Sequence, residues 1–227
     1  ENIIKELDSY GYKGSNLLIA TPCKEAEEII DNLSQTCNSI NIELQRIKRI
    51  TSRPDLESII SKHKFDHIII QTEQTYIEDI QTADSHTLIT LVNIRDIATK
   101  HNYDFSILTE IQDNRNAELA KKSNPNDFII DAVFNSKVLA QLSENRKLSK
   151  VFNELLTSEG SEIYLRPAEY YVSLGKEVNF ATISESALRQ NEVAIGFVRD
   201  GENIINPTKS YKSVLSKGDR IVVISEN

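Results

Sequence analysis

The sequence predicts an α/β chain of two lobes: an open parallel sheet with helices on both faces, followed by a small α+β lobe. Three observations predict it. Short apolar runs alternate with amphipathic stretches five times over residues 1–145. The apolar runs, such as His67-Ile68-Ile69-Ile70, are strand-sized and far short of the ~18 residues of a membrane span. After Asn145 the rhythm changes to short strands punctuated by tight turns. Apolar strands alternating with helices imply parallel neighbours joined by right-handed crossovers.

The elements follow in order. Asn2–Tyr10 carries Ile3, Ile4 and Leu7 at helical spacing, and Gly11 ends it. Ser15–Ala20 reads as a buried strand. Pro22 opens a helix to about Gln35, with Ala26, Ile29, Ile30 and Leu33 on one face. Ile40, Ile42 and Leu44 alternate, so 40–50 reads as a strand. Pro54–Lys64 is a short helix and His67–Gln71 a strand. Ile77–Lys100 is a long helix, with Ile80, Ala83, Thr87, Leu91, Ile94 and Ala98 recurring at three and four. Phe105–Ile111, Asn114–Lys122, Phe128–Ile130 and Ser136–Glu144 then alternate strand and helix.

Leu148–Leu156 reads as a hinge or crossover helix within 146–160. The lobe over 161–227 offers strands at Glu162–Leu165, Val178–Phe180, Val193–Val198, Asn203–Ile205 and Arg220–Ser225. Thr182-Ile183-Ser184-Glu185 reads as a capping box opening a helix to about Gln190. Asp200-Gly201 signals a hairpin, and Lys217-Gly218-Asp219 a second turn.

Composition narrows the function. The chain has 227 residues, 34 acids and 26 bases, for a formal net charge of −8, which argues against a general nucleic-acid binder. Cys23 and Cys37 are too few for a disulfide framework and lack metal-ligand company, so a reducing, intracellular setting is expected. No stretch near Glu1 has a signal-peptide pattern. The chain starts at Glu1 and contains no Met, so it is expected to be a piece of something longer.

In open parallel sheets, ligands collect outside the carboxyl ends of the strands. A dinucleotide site wants Gly-x-Gly-x-x-Gly there, so that backbone N–H groups approach the pyrophosphate. No such motif occurs. If Ser15–Ala20 is a first strand, its loop is Thr21-Pro22-Cys23-Lys24, with no Gly; if it is a second strand, it lacks the terminal acid that holds a ribose. Either way nucleotide binding is disfavoured.

The acids are more suggestive. Glu73, Glu78, Asp79 and Asp84 flank or enter the long helix, and Glu110 and Asp113 end the next strand. A hard cation such as Ca²⁺ takes six to eight oxygens. Asp79 and Asp84 lie roughly 140° apart around a helix axis, so the Asp113 loop or a second chain would have to contribute. The plainer reading makes Glu78 and Asp79 helix-start acids and leaves the others solvated.

Catalytic patterns are weaker. His63, His67, His86 and His101 show no metal spacing, and Cys23 reads as a small buried residue. Arg46-Ile47-Lys48-Arg49 is too short for a nucleic-acid stripe. Asp113-Asn114-Arg115-Asn116 reads as a helix cap with a loop staple, or as part of a ligand site.

Several segments together resemble a known family. Thr82-Ala83-Asp84-Ser85-His86-Thr87-Leu88-Ile89-Thr90-Leu91 with Ile94-Arg95-Asp96-Ile97 resembles the long-helix signature of CASTOR/POLLUX-type channel proteins. Thr109-Glu110-Ile111-Gln112-Asp113-Asn114-Arg115-Asn116-Ala117-Glu118-Leu119-Ala120 resembles the strand and helix that follow. Asp127-Phe128-Ile129-Ile130, Leu139–Asn145, Glu159–Pro167, Ala194–Phe197 and Gly218-Asp219 continue collinearly.

The resemblance implies a cytosolic RCK (regulator of K⁺ conductance) domain, with a Rossmann-like lobe, crossover helices and a smaller C-terminal lobe. It implies that Glu1–Ser15 is the family's first helix region, so that the first strand and its glycine loop lie outside this chain. A sheet without its central strand leaves edges for upstream residues or a partner chain to cover. The resemblance further implies a gating ring of like domains that answers to cations or nucleotides, with Ca²⁺ the leading ligand and potassium transport in view. Asp79, Asp84, Glu110 and Asp113 fall on acidic positions of the matched motifs and are the implied metal ligands. Association surfaces are expected on the long helix and on Val133–Leu142. The expected function is therefore non-enzymatic: a regulatory domain at the cytoplasmic face of a membrane, associating with copies of itself and with a pore. The alternatives are a soluble nucleotide-binding regulatory subunit of a potassium transporter and an NAD-dependent oxidoreductase. The second of these needs a glycine loop and a general acid/base that the sequence does not show.

Overall fold

The computed structural model describes residues 1–72, 79–123, 128–130, 132–158 and 160–226, with side chains described outside 122–132. The chain divides into two compact units, Glu1–Asn145 and Arg146–Asn227.

The first unit alternates helix and strand. α1 (Asn2–Tyr10), β1 (Ser15–Thr21), α2 (Ala26–Ser34) and β2 (Ile40–Arg46) come first. α3 (Arg53–Ile60), β3 (His67–Ile70), α4 (Ile80–His101), β4 (Ser106–Glu110), α5 (Asn114–Ser123), β5 (Phe128–Ile130) and α6 (Ala132–Glu144) follow. Every pairing is parallel, as expected, but the strands form two ladders: β1–β2, and β3–β4–β5. Among the described residues, no strand pairs with the second edge of β1 or of β3. The single sheet expected from the alternation is thus interrupted between those two strands.

Burial follows this division. Leu56 and Ile60 of α3, Leu91, Ile94 and Ile97 of α4, Ile70, Ile107 and Ile111 form one core with Ala117 and Ala120 of α5. β1 reads SNLLIAT, apolar enough for a core strand, yet none of its residues is buried. α1 is tied to β2 through Asp8, whose carboxylate accepts from the backbone N–H groups of Asn38, Ser39 and Ile40 at 3.0, 2.8 and 3.0 Å. The Asn38 and Ser39 hydrogen bonds hold the Asp8 carboxyl below the usual carboxylate range.

α4 organises the second ladder. Asp79 caps its N-terminus by accepting from the Thr82 N–H, and left-handed Asn102 closes its C-terminus. Lys100 and His101 in the last turn complement the helix dipole. The periodicity placed the helix start at Ile77, which lies outside the described residues. Near the other end, Glu57 of α3 accepts from Lys100 Nζ at 3.0 Å and His101 Nε2 at 2.9 Å. The His101 bond, then the Lys100 bond, pull the Glu57 carboxyl down to about 2.

The second unit holds α7 (Leu148–Leu155), β6 (Ser161–Pro167), a 3-10 turn at Ala168–Tyr170, β7 (Glu177–Asn179) and α8 (Phe180–Leu188). β8 (Val193–Arg199), β9 (Glu202–Ile205), β10 (Lys212–Val214) and β11 (Arg220–Glu226) complete it. An antiparallel sheet runs β6–β11–β8–β9, and β7 pairs with β10. Phe180, Ile183 and Ala187 of α8 pack on Phe197, Ile221 and Val223 from one face of the four-stranded sheet. The β8–β9 turn is at Asp200-Gly201 with φ of 51° and 79°, the paired left-handed residues of a type I′ hairpin. Gly196 lets β9 come close: a Cβ there would lie 2.4 Å from the Ile204 carbonyl oxygen.

The α8 start differs from expectation. Asn179 is the cap and accepts from both the Thr182 N–H and its hydroxyl, while Glu185 pairs with Arg189 rather than reaching back. An Asn three residues upstream supplies the same acceptor one turn earlier, worth about 1 kcal/mol. β10 was not expected from sequence, because three residues with a central buried Ser213 carry no periodicity.

Two outcomes follow. Hydrogen exchange followed by NMR is expected to show slow amides at Leu108 and Thr109 of β4, which are paired on both edges. The amides of β1 and β3 that face away from their single partners are expected to exchange orders of magnitude faster. Second, the depressed Glu57 carboxyl contributes stability that is fully present above the unfolded value of ~4.3 and is lost as pH falls toward about 2. Urea midpoints of Glu57→Gln and the parent chain, measured from pH 6 to pH 2, are expected to differ at the upper end and converge at the lower (both approximate limits).

Candidate functional site

β3 and β4 run parallel, so their carboxyl ends open on the same side. The elements meeting there are Thr72 after β3, Glu110 at the end of β4, the 111–113 loop, and the first turns of α4 and α5.

Asp84 is the pivot. It lies one turn into α4 and is completely buried. Its Oδ1 accepts from the Gln112 N–H at 2.9 Å, and its Oδ2 from the Asp113 N–H and Asn116 Nδ2, both at 2.9 Å. Three donors offset the cost of taking the carboxylate out of water. One side chain thereby joins α4 to the β4–α5 loop and to α5.

Asp113 sits at the loop's outer rim. It accepts from the Arg115 N–H at 2.9 Å, the Arg115 guanidinium at 2.7 Å and Gln81 Nε2 at 2.9 Å. The Arg115 side chain, then its backbone N–H, hold the Asp113 carboxyl well below the usual range. The Asp113 carbonyl also accepts from the Asn116 and Ala117 N–H groups, opening α5. Of the two readings of 113–116, the structure supplies the cap and staple. Glu110 is exposed at the strand end, where its Oε2 accepts from the Thr72 N–H at 3.5 Å and its carbonyl from the Thr72 hydroxyl at 3.3 Å. Asp79 accepts from Thr82, first through the hydroxyl and then the N–H, which lowers its carboxyl.

The four acids singled out from sequence therefore divide. Asp84 and Asp113 meet through the loop backbone, with Asp79 capping the same helix and Glu110 at the strand end. Asp79 and Asp84 use their oxygens on protein N–H and O–H donors. Glu110 is exposed at the outer rim, and Asp113, 17% exposed, also spends its oxygens on protein donors, one of them a guanidinium that is itself 84% exposed. Glu73 and Glu78 lie outside the described residues. Among the described residues, no group of three or more His, Cys, Asp or Glu side chains is placed to hold a metal ion. Sequence reasoning missed Gln81 and did not foresee that Asn116 bonds Asp84, because neutral hydrogen-bonding side chains carry no spacing signal. Cys23, expected to be buried, is exposed and donates to Glu25 at 3.2 Å.

No family model matches the chain. Individual proteins do. "Probable ion channel POLLUX" of Arabidopsis thaliana is 30% identical over 262 aligned residues, covering 100% of this chain and 32% of that protein. "Ion channel CASTOR" of Lotus japonicus is 30% identical over 260, again covering the whole chain and 30% of the relative. "Probable ion channel POLLUX" of Oryza sativa subsp. japonica is 30% identical over 259, with 99% and 27% covered. Over its whole length the chain is similar to CASTOR/POLLUX-type channel proteins.

The chain spans about a third of the length of the CASTOR/POLLUX relatives it matches. It corresponds to one segment of proteins named as ion channels. Among its described residues no helix is long and apolar enough to cross a membrane. The resemblance read from the 82–91 and 109–120 segments thus extends over the whole of this chain. Both of those stretches converge on the Asp84 loop.

Asp84→Asn is expected to cost on the order of 2–3 kcal/mol of unfolding free energy, because an amide NH₂ then faces donors that have lost their acceptor. Urea denaturation checks this; a change within about 0.5 kcal/mol, the range of ordinary surface substitutions, removes Asp84 from its bridging role.

Proposed function

We propose that this chain is a cytosolic regulatory domain of a CASTOR/POLLUX-like cation channel, an RCK-type module that assembles with copies of itself and couples cation binding to pore gating. The observation that carries this reading is the match of the entire chain to a segment of proteins named as ion channels. Two features of the fold support it. Among the described residues the parallel ladders leave one edge of β1 and one edge of β3 unpaired, and a Rossmann-like lobe would place one more parallel strand between them. An upstream segment of the full-length protein, leading into α1, supplies that strand. The carboxyl ends of β3 and β4 carry an acidic rim, the usual ligand position in open parallel sheets.

In this reading Glu110 and Asp113 offer the exchangeable carboxylates. Asp79 and Asp84 set the loop that presents them. A Ca²⁺ ion wants six to eight oxygens, more than this rim holds, so a neighbouring copy completes the shell. A ligand gates only through its differential affinity for two arrangements. A cation that draws Asp113 away from Arg115 and toward a second chain binds the assembled arrangement better, and it thereby pulls on the linkers to the pore. The chemistry proposed is binding rather than catalysis.

The test is calorimetry with Ca²⁺ on the parent chain and on Asp113→Asn, paired with currents from the full-length channel. Ca²⁺ affinity is expected to fall about tenfold in the variant, the loss of roughly one charge-assisted contact. Equal Ca²⁺ binding by the two chains removes the rim as the cation site. Currents indifferent both to Ca²⁺ and to deletion of this domain overturn the regulatory reading itself.

A further inference from the structure

The four-stranded sheet of the second unit has one covered face and one open one. α8 and the core occupy the side of Phe197, Ile221 and Val223. The opposite side is apolar as well. The pairing registers set its rows across the strands. One row is Ile163 on β6, Ile224 on β11 and Val193 on β8. The next is Leu165, Val222, Gly196 and, on β9, Ile205. Neither row contains a charge. Ile163, Leu165, Val193 and Ile205 are 49%, 59%, 52% and 55% exposed, while Val222 beneath them is 6% exposed, Ile224 is half-buried and α7 lies against β6.

Charge appears only at the ends of the central strand. Arg220 opens β11 and Glu226 closes it, on the same side as Val222 and Ile224, and both are exposed. The face is therefore two apolar rows bracketed by a cation at one end and an anion at the other. Such a face is self-complementary in one of two ways of stacking. A two-fold axis lying in the interface and crossing the strands sets Arg220 of one copy over Glu226 of the other, twice, with apolar rows on apolar rows. An axis parallel to the strands would set Arg220 over Arg220 and Glu226 over Glu226. Opposite charges select the first and repel the second.

We infer that two copies of this chain pair through the outer face of the β6–β11–β8–β9 sheet, strands antiparallel between copies, with reciprocal Arg220–Glu226 contacts. This names a contact for the self-assembly proposed above and rests on it. Four strands ~4.8 Å apart give a face only ~19 Å wide. That is small beside stable interfaces, so the association is concentration-dependent.

Sedimentation equilibrium over a concentration series tests it, on the whole chain and on Leu165→Glu, Arg220→Glu, Glu226→Arg and the double charge exchange. Circular dichroism and thermal melts verify that each variant is folded. The parent is expected to dimerise, and Leu165→Glu to be monomeric. Each single charge reversal is expected to weaken the dimer about tenfold. The double exchange, which restores both the pairing and the net charge, is expected to return it to within about threefold of the parent. A dimer untouched by every variant overturns this face while leaving self-assembly intact. A double exchange no better than the singles overturns the antiparallel stacking. A parent chain monomeric throughout overturns both this pairing and the self-assembly it rests on, whereas the calcium and current measurements report on regulation separately.

Discussion

A single buried carboxylate organises the first unit. Asp84 carries no exposed surface, and its two oxygens receive three donors from the loop and helix that follow β4. Without it, the Gln112 and Asp113 N–H groups would lose their acceptor. With it, the start of α4, the end of β4 and the start of α5 move as one piece. The position of the rim acids Glu110 and Asp113 is a consequence of that arrangement.

The second constraint is what the sheet leaves open. β1 is as apolar as a core strand, yet its residues are at most half-buried, and the buried cluster of its unit is assembled from α3, α4, α5 and the β3–β4 ladder, with Ala26, Ile30 and Leu33 of α2 buried outside it. A strand of that composition with one bare edge is stable only as part of something larger. Among the described residues the outer edges of β1 and β3 are both unpaired. The C-terminal unit meets the same problem differently. Its sheet is antiparallel and closed on one face by α8, and its unfinished surface is a side-chain face rather than a strand edge.

Much of this was legible in the residues. The period of Ala83, Thr87, Leu91 and Ile94 marked α4, and all four are buried in the structure. The Asp200-Gly201 pair marked a hairpin that forms with both residues left-handed. Boundaries were less legible. Pro22 suggested a helix start, but the chain stays non-helical until Ala26, because a proline marks only a permitted first turn. Thr182 and Glu185 matched a capping box that Asn179 pre-empts. The site was half legible. Acids at strand ends could be picked out, but whether a carboxylate faces solvent or a cage of backbone N–H groups depends on loop closure, which spacing does not encode. Asp84 and Asp79 look alike in sequence; one is wholly buried and the other is a surface cap.

The 22 residues of α4 make a rod about 33 Å long. It is pinned near both tips: by Asp84 to the β4–α5 loop at one, and by Glu57 to Lys100 and His101 at the other. The helix thus ties the β4–α5 loop to α3, elements that no single loop of this unit could span.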